Sequence, residues 1–183
     1  MRVLFLNPPG RRVYIRDYYC SKVSQADYIS HPIDFVVMSA WLRHAGWDIR
    51  LVDAIAQRLS PAETLRRIHE AAPDAVIALA GAASWPEDLA FFKDLKAARR
   101  TRLLVSGDLF QDGATALMQE HSFLDGVILD FTTPDIVQGV EGQGDALRGI
   151  AHRTKDSLIG PADACADMAK FDLPAVPMHE LFQ

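Results

Sequence analysis

The sequence predicts a doubly wound α/β domain, a three-layer fold with a five-stranded parallel sheet between two layers of helices. Five short apolar runs alternate with helix-like segments along most of the 183 residues. One of them, Ala75 to Ala80, is apolar throughout, as a strand covered on both faces must be. Two helix starts carry the same punctuation, Ser60-Pro61-Ala62-Glu63 and Ser84-Trp85-Pro86-Glu87, a capping-box spacing with proline in the first turn. Strand and helix in this alternation imply parallel pairing with right-handed crossovers.

The first strand is Arg2 to Leu6, closed by Asn7-Pro8-Pro9-Gly10. Residues 10–32 form a long connection holding all four tyrosines (Tyr14, Tyr18, Tyr19, Tyr28) with Arg11, Arg12, Arg16 and Lys22. A connection of that length between packed elements is usually functional, so it reads as a ligand lid or docking face, against a solvated flap. A helix is expected from Ile33 to Ala45, with Pro32 at its start and Gly46 as its C-terminal cap. The second strand is Asp48 to Asp53, followed by a helix from Ser60 to Pro73 with Leu65, Ile68 and Ala72 on one face. The third strand is Ala75 to Ala80 and its helix runs to about Arg99. Arg102 to Ser106, a helix from near Asp112 to His121, and Gly126 to Leu129 complete the series, with a helical turn or two from Thr133-Pro134.

The pattern weakens after Gly139, where residues 139–149 hold four glycines. Only Ala162 to Ala169 keeps amphipathic order, and Phe171 to Pro177 reads as an extended linker. Residues 1–150 are therefore taken as the domain and 151–183 as the linker.

Composition narrows the function classes. Apolar content of 49% with 23% charged residues is globular. The longest apolar runs are strand-sized, too short for a membrane span. No leader pattern opens the chain, and Cys20 and Cys165 read as free thiols in a reducing, cytoplasmic compartment. A net charge of −5 argues against nucleic acid as the partner.

Sheets of this type bind ligands at the carboxyl ends of their strands, where strand order reverses. Gly81 and Gly107 would let a ligand approach the backbone there, or simply make tight turns. Ser84 reads as a helix cap before a ligand contact. Asp53 could hold a ribose hydroxyl, but no dinucleotide fingerprint or Walker sequence follows the first strand. The six histidines show no metal-ligand spacing and read as surface or capping residues, so no metal ligand is assigned and the fold is expected to need no metal. No nucleophile elbow is present, and the chain shows no catalytic set.

Several segments together carry a family resemblance. Leu6-Asn7-Pro8-Pro9, the run Arg16-Asp17-Tyr18-Tyr19-Cys20-Ser21-Lys22, His31-Pro32-Ile33-Asp34 and Val52-Asp53-Ala54-Ile55 resemble the N-terminal cobalamin-binding domain of a family of radical S-adenosylmethionine proteins. Leu173 to Phe182 is similar to the linker leading into that family's radical barrel. The resemblance implies a flavodoxin-like sheet of order 2-1-3-4-5, with cobalamin lying face-on across the strand ends. It implies that the corrin meets Asn7, Pro8 and Pro9 after the first strand, that its nucleotide tail runs between strands and helices lined by Gly81, Ala82 and Ser84 after the third, and that Gly107 and Asp108 after the fourth and Phe131 and Thr132 after the fifth complete the contacts. It also implies that the iron–sulfur cluster and S-adenosylmethionine belong to a radical domain of the same parent chain, which this sequence does not contain; its three-cysteine motif is absent.

The sequence departs from histidine-ligating cobalamin domains, which carry Asp-x-His-x-x-Gly after the first strand. That place reads Asn7-Pro8-Pro9-Gly10-Arg11-Arg12, so cobalt is expected to receive no histidine. Two readings stand: a cobalamin-binding domain serving an adjacent radical domain, and a degenerate module that only contacts its neighbour. Either way, the chain by itself is expected to catalyse nothing.

Overall fold

The computed structural model describes residues 1–25 and 28–162. Its central sheet has seven strands. The parallel part comprises β1 (Arg2–Asn7), β4 (Asp48–Asp53), β5 (Ala75–Leu79), β6 (Arg102–Ser106) and β7 (Gly126–Ile128). Two strands, β8 (Ile150–Arg153) and β9 (Leu158–Ile159), extend it antiparallel beyond β7. The remaining pair, β2 (Tyr14–Arg16) and β3 (Ser21–Val23), is a separate antiparallel hairpin.

The full order is β4-β1-β5-β6-β7-β8-β9. The five expected strands keep their expected relative order, but the sheet is not five-stranded, and its full order includes two strands the sequence did not suggest. β8 and β9 are only four and two residues long and follow turns at Gly142, Gly144 and Gly149, all at positive φ. That glycine density reads as loss of pattern along the chain, whereas here it reverses direction so that Ile150 can pair with Ile128. Ile150–Arg153 and Leu158–Ile159, mostly within the stretch read as linker, are therefore strands. Past Ala162, the amphipathic stretch, the extended segment after Phe171 and Cys165 lie outside the described residues.

Strand alternation builds the two outer layers. Leu4 and Leu6 of β1, with Val76 and Ala78 of β5, face a core shared with Ile68, Phe91, Phe92, Leu95 and Met118. Those residues belong to α2 (Pro61–Ala71), α3 (Trp85–Ala98) and α4 (Ala114–Glu120). Val3, Phe5, Ile77 and Leu79 face the other side, against Phe35, Met38 and Leu42 of α1 (Ile33–His44) and Ile136 and Val140 of α5 (Ile136–Glu141).

The two capping boxes diverge. Ser60 Oγ accepts from the Glu63 backbone N–H at 3.2 Å, as its spacing predicts. Ser84 stands at the same place before α3 yet makes no side-chain cap; its hydroxyl is drawn elsewhere, as described below. One histidine also departs from expectation. His152, on β8, is fully buried, with Nε2 3.0 Å from the Gly144 carbonyl.

Candidate functional site

The loops after β1, β4, β5, β6 and β7 gather at the carboxyl edge of the sheet, and the hairpin β2–β3 lies across them. Residues 10–32 are thus not a structureless connection. Tyr14 pairs with Val23 and Arg16 with Ser21, and alternation turns Tyr14 and Arg16 inward. The Arg16 side chain is fully buried, as is that of Asp88 in the first turn of α3.

Arg16 organises the strand ends. Its Nη2 donates to Asp88 Oδ1 at 2.7 Å, and its Nε donates to Asp88 Oδ2 at 3.2 Å and to Ser84 Oγ at 3.0 Å. Its Nη1 donates to Asn7 Oδ1 at 2.9 Å and to the Pro8 carbonyl at 3.0 Å. The Ser84 hydroxyl donates to Asp88 Oδ2 at 2.6 Å, which also accepts the Gly81 N–H at 3.2 Å. Ser84 is therefore no cap, because a buried carboxylate and a guanidinium claim its oxygen. Asn7 Nδ2 donates in turn to Asp53 Oδ1 at 3.0 Å, and the same oxygen accepts the Ala56 N–H.

A second set of contacts lies over β5 and β6. Asp108 Oδ2 accepts the Ser21 N–H at 2.6 Å and Oδ1 accepts the Ala82 N–H at 2.9 Å. Ser21 Oγ accepts the Ala83 N–H at 2.9 Å, and a Cβ on Gly81 would lie 2.4 Å from Ser21 Cβ. Gly107 packs so closely that a Cβ there would lie 1.7 Å from the Ala80 carbonyl oxygen. The crevice between these two strand ends is filled by the chain itself.

Toward β7 the surface is aromatic. Tyr18 meets Phe131 edge-on with centroids 5.3 Å apart, and Tyr19 at 5.0 Å. Tyr19 is 82% exposed. The Thr132 carbonyl accepts the Trp41 indole N–H at 3.1 Å. Beneath lies Asp34, buried at the start of α1, with Oδ2 lacking a hydrogen-bond partner among the described residues. Burial, and then the neighbouring Asp17 charge, push its carboxyl up to about 6.

On the far side of β1, a cavity of about 500 Å³ opens between the β1 and β4 loops. Arg11, Arg12 and Arg58 line it together with Val13, Ile55 and Leu59.

The ten candidate positions thus fall in different surroundings. Asn7, Pro8, Gly81, Ala82, Ser84 and Asp108 contact Arg16, Ser21 or one another; Gly107 is packed on Ala80; Phe131 and Thr132 stand on the aromatic side. Pro9 is buried within the first loop. Sequence reasoning missed Asp88, whose capping-box neighbourhood disguised it, and Arg58, an ordinary-looking loop residue. Among the described residues no three His, Cys, Asp or Glu side chains come together as a metal site, and no helix is long and apolar enough to cross a membrane.

No family model matches the chain, and no curated protein matches it in sequence. Solved structures do match in fold. The cobalamin-dependent S-adenosylmethionine radical enzyme OxsB, solved with aqua-cobalamin both with and without S-adenosylmethionine, superposes with a TM-score of 0.68 at 8% identity over 93% of this chain. The radical S-adenosylmethionine methyltransferase TsrM from Kitasatospora setae, solved with cobalamin and a 4Fe–4S cluster, superposes with a TM-score of 0.63 at 15% identity over 96%. The chain spans 23% of the OxsB chain and 31% of the TsrM chain. Its α/β fold is therefore the fold of a segment found within these two larger enzymes.

Proposed function

We propose that this domain binds cobalamin over the carboxyl edge of its sheet and holds it beside a radical S-adenosylmethionine domain. The observation that carries the reading is the fold match, which spans nearly the whole chain and links it to two enzymes solved with cobalamin. The run from Arg16 to Lys22 and the Asn7-Pro8-Pro9 turn, which resemble that family in sequence, lie together at the edge where such sheets bind ligands.

The residues present fit the cofactor in part. The exposed Tyr19 ring, packed edge-on against Tyr18, which in turn meets Phe131 edge-on, offers an aromatic contact to a macrocycle. The β5–β6 crevice does not fit a cofactor tail while Ser21 and Asp108 fill it, so Gly81, Ala82 and Gly107 act as the floor under the hairpin. The arginine-lined cavity between the β1 and β4 loops has room that the crevice lacks. When bound, cobalamin supplies a cobalt centre that carries a methyl group or is presented open. The chain's own residues position and shield: Arg16 and Asp88 fix the hairpin, and the loop at residues 7–12 brings no imidazole to the cobalt. The iron–sulfur cluster and S-adenosylmethionine would belong to the radical domain beside it.

The sealed crevice favours one second reading, a module that contacts its neighbour without a cofactor. Incubation with hydroxocobalamin followed by gel filtration separates the two. Co-elution of a perturbed corrinoid spectrum at one equivalent supports binding, and a colourless protein peak leaves the second reading.

A further inference from the structure

Most arginines in this chain have a partner, although the exposed Arg100, which does not line the cavity, shows none among the described residues. Arg2, Arg16, Arg66 and Arg67 hold carboxylates, and Arg99, Arg102 and Arg153 hold backbone carbonyls. The guanidinium groups of Arg11, Arg12 and Arg58 make no hydrogen bond or ion pair among the described residues, and all three line the same cavity. No acidic side chain lines it. Glu87, whose charge interacts with that of Arg11, accepts the Arg11 backbone N–H at 2.8 Å and the Tyr14 hydroxyl at 2.9 Å and does not line the cavity.

In a chain of net charge −5, three exposed guanidiniums without a hydrogen-bonded carboxylate around one opening are a local reversal of sign. The backbone supports their placement. Arg58 sits at φ +51, a left-handed conformation that non-glycine residues seldom adopt and that recurs at ligand sites. The turn that forces it is closed by Leu59 N–H to the Ala54 carbonyl at 2.9 Å, at the carboxyl end of β4. Planar guanidinium forks match phosphate oxygens in pairs, while Val13, Ile55 and Leu59 give the cavity an apolar wall.

We propose that this cavity binds a phosphoester anion attached to an apolar body. In a form that rests on the cobalamin reading above, the ligand is the corrinoid's own nucleotide tail, a heteroaromatic base riboside joined through a phosphodiester. The tail lies along β1 and β4, because Ser21, Asp108 and the Gly107–Ala80 contact close the β5–β6 crevice.

The test titrates the chain with cobalamin and with cobinamide, which lacks the nucleotide tail, and with inorganic pyrophosphate as an anion probe. Binding is read by absorption and calorimetry, and protection of residues 10–13 and 54–59 by hydrogen exchange. The variant is Arg12→Gln/Arg58→Gln; both side chains are exposed and without partners among the described residues, and thermal unfolding checks that the fold is kept. The expected result is cobalamin binding at least roughly tenfold tighter than cobinamide in the parent chain, the worth of one or two charge-assisted hydrogen bonds. In the variant the difference collapses while cobinamide affinity holds. Equal binding of the two corrinoids by the parent chain, or an unchanged preference in the variant, overturns the tail assignment. If neither corrinoid binds but pyrophosphate does, with protection lost in the variant, the cobalamin reading fails and the cavity serves a free phosphorylated molecule. Failure of all three probes overturns the site.

Discussion

Asp34 gives the domain a pH-dependent stability that can be worked out from its surroundings. The residue is 4% exposed and one carboxyl oxygen has no hydrogen-bond partner among the described residues. Burial raises its pKa most and the Asp17 charge adds to it, while hydrogen bonds from the backbone of Asp34 and Tyr18 pull the other way, and the balance moves it from 3.8 to about 6. The folded chain therefore holds this proton more tightly than the unfolded chain does. Between about pH 4 and pH 6 the folded state carries more protons, so stability falls as pH rises through that window and the full penalty stands above it. A shift of about two units corresponds to about 3 kcal/mol at neutral pH. Asp34→Asn keeps the shape and removes the charge, so it should stabilise the domain by about 1–3 kcal/mol at pH 7.5 and by nothing measurable at pH 4. Urea unfolding followed by tryptophan fluorescence, at half-unit steps from pH 4 to 7.5, measures this. A variant no more stable than the parent at pH 7.5, or one that keeps the parent's pH slope, would refute the reasoning.

Other substitutions probe the remaining parts of the edge. Asp88→Ala leaves the buried Arg16 charge without its partner and should cost about 3–5 kcal/mol; the Ser21, Ala82 and Ala83 amides should exchange faster even under folding conditions, and unchanged protection would show that Arg16 does not fasten the hairpin. Gly107→Ala places a methyl group against the Ala80 carbonyl and should destabilise by about 3 kcal/mol, the upper end for overpacking, read from the denaturation midpoint. Ser60→Ala removes a real cap and should cost about 1 kcal/mol of stability in the same assay. Replacing the six histidines one at a time should leave the spectrum of bound cobalamin unchanged, and a shift at any one of them would identify a cobalt ligand.

The sequence by itself determined the periodic part of this protein. Local patterns suffice for it: five apolar runs of strand length, two helix starts with capping-box spacing and an alternation that admits few topologies. The relative order of the five parallel strands followed from resemblance, and residues 10–32 were marked as unusual by length and composition alone. Tertiary structure decided the rest, because the deciding contacts join residues far apart in the chain. Ser60 and Ser84 stand in the same local pattern. Only the first caps its helix, since the hairpin carries Arg16 to the start of α3 and the Arg16–Asp88 pair captures the second hydroxyl. Gly81 and Gly107 looked open to a ligand along the chain, yet one lies under Ser21 and the other against Ala80. β8 was unreadable because four residues after a glycine-rich turn have no period to detect, and pairing with β7 alone makes them a strand. Arg58 and the two loop arginines share a cavity only because β4 lies beside β1, which brings the loops after both strands to one edge of the sheet.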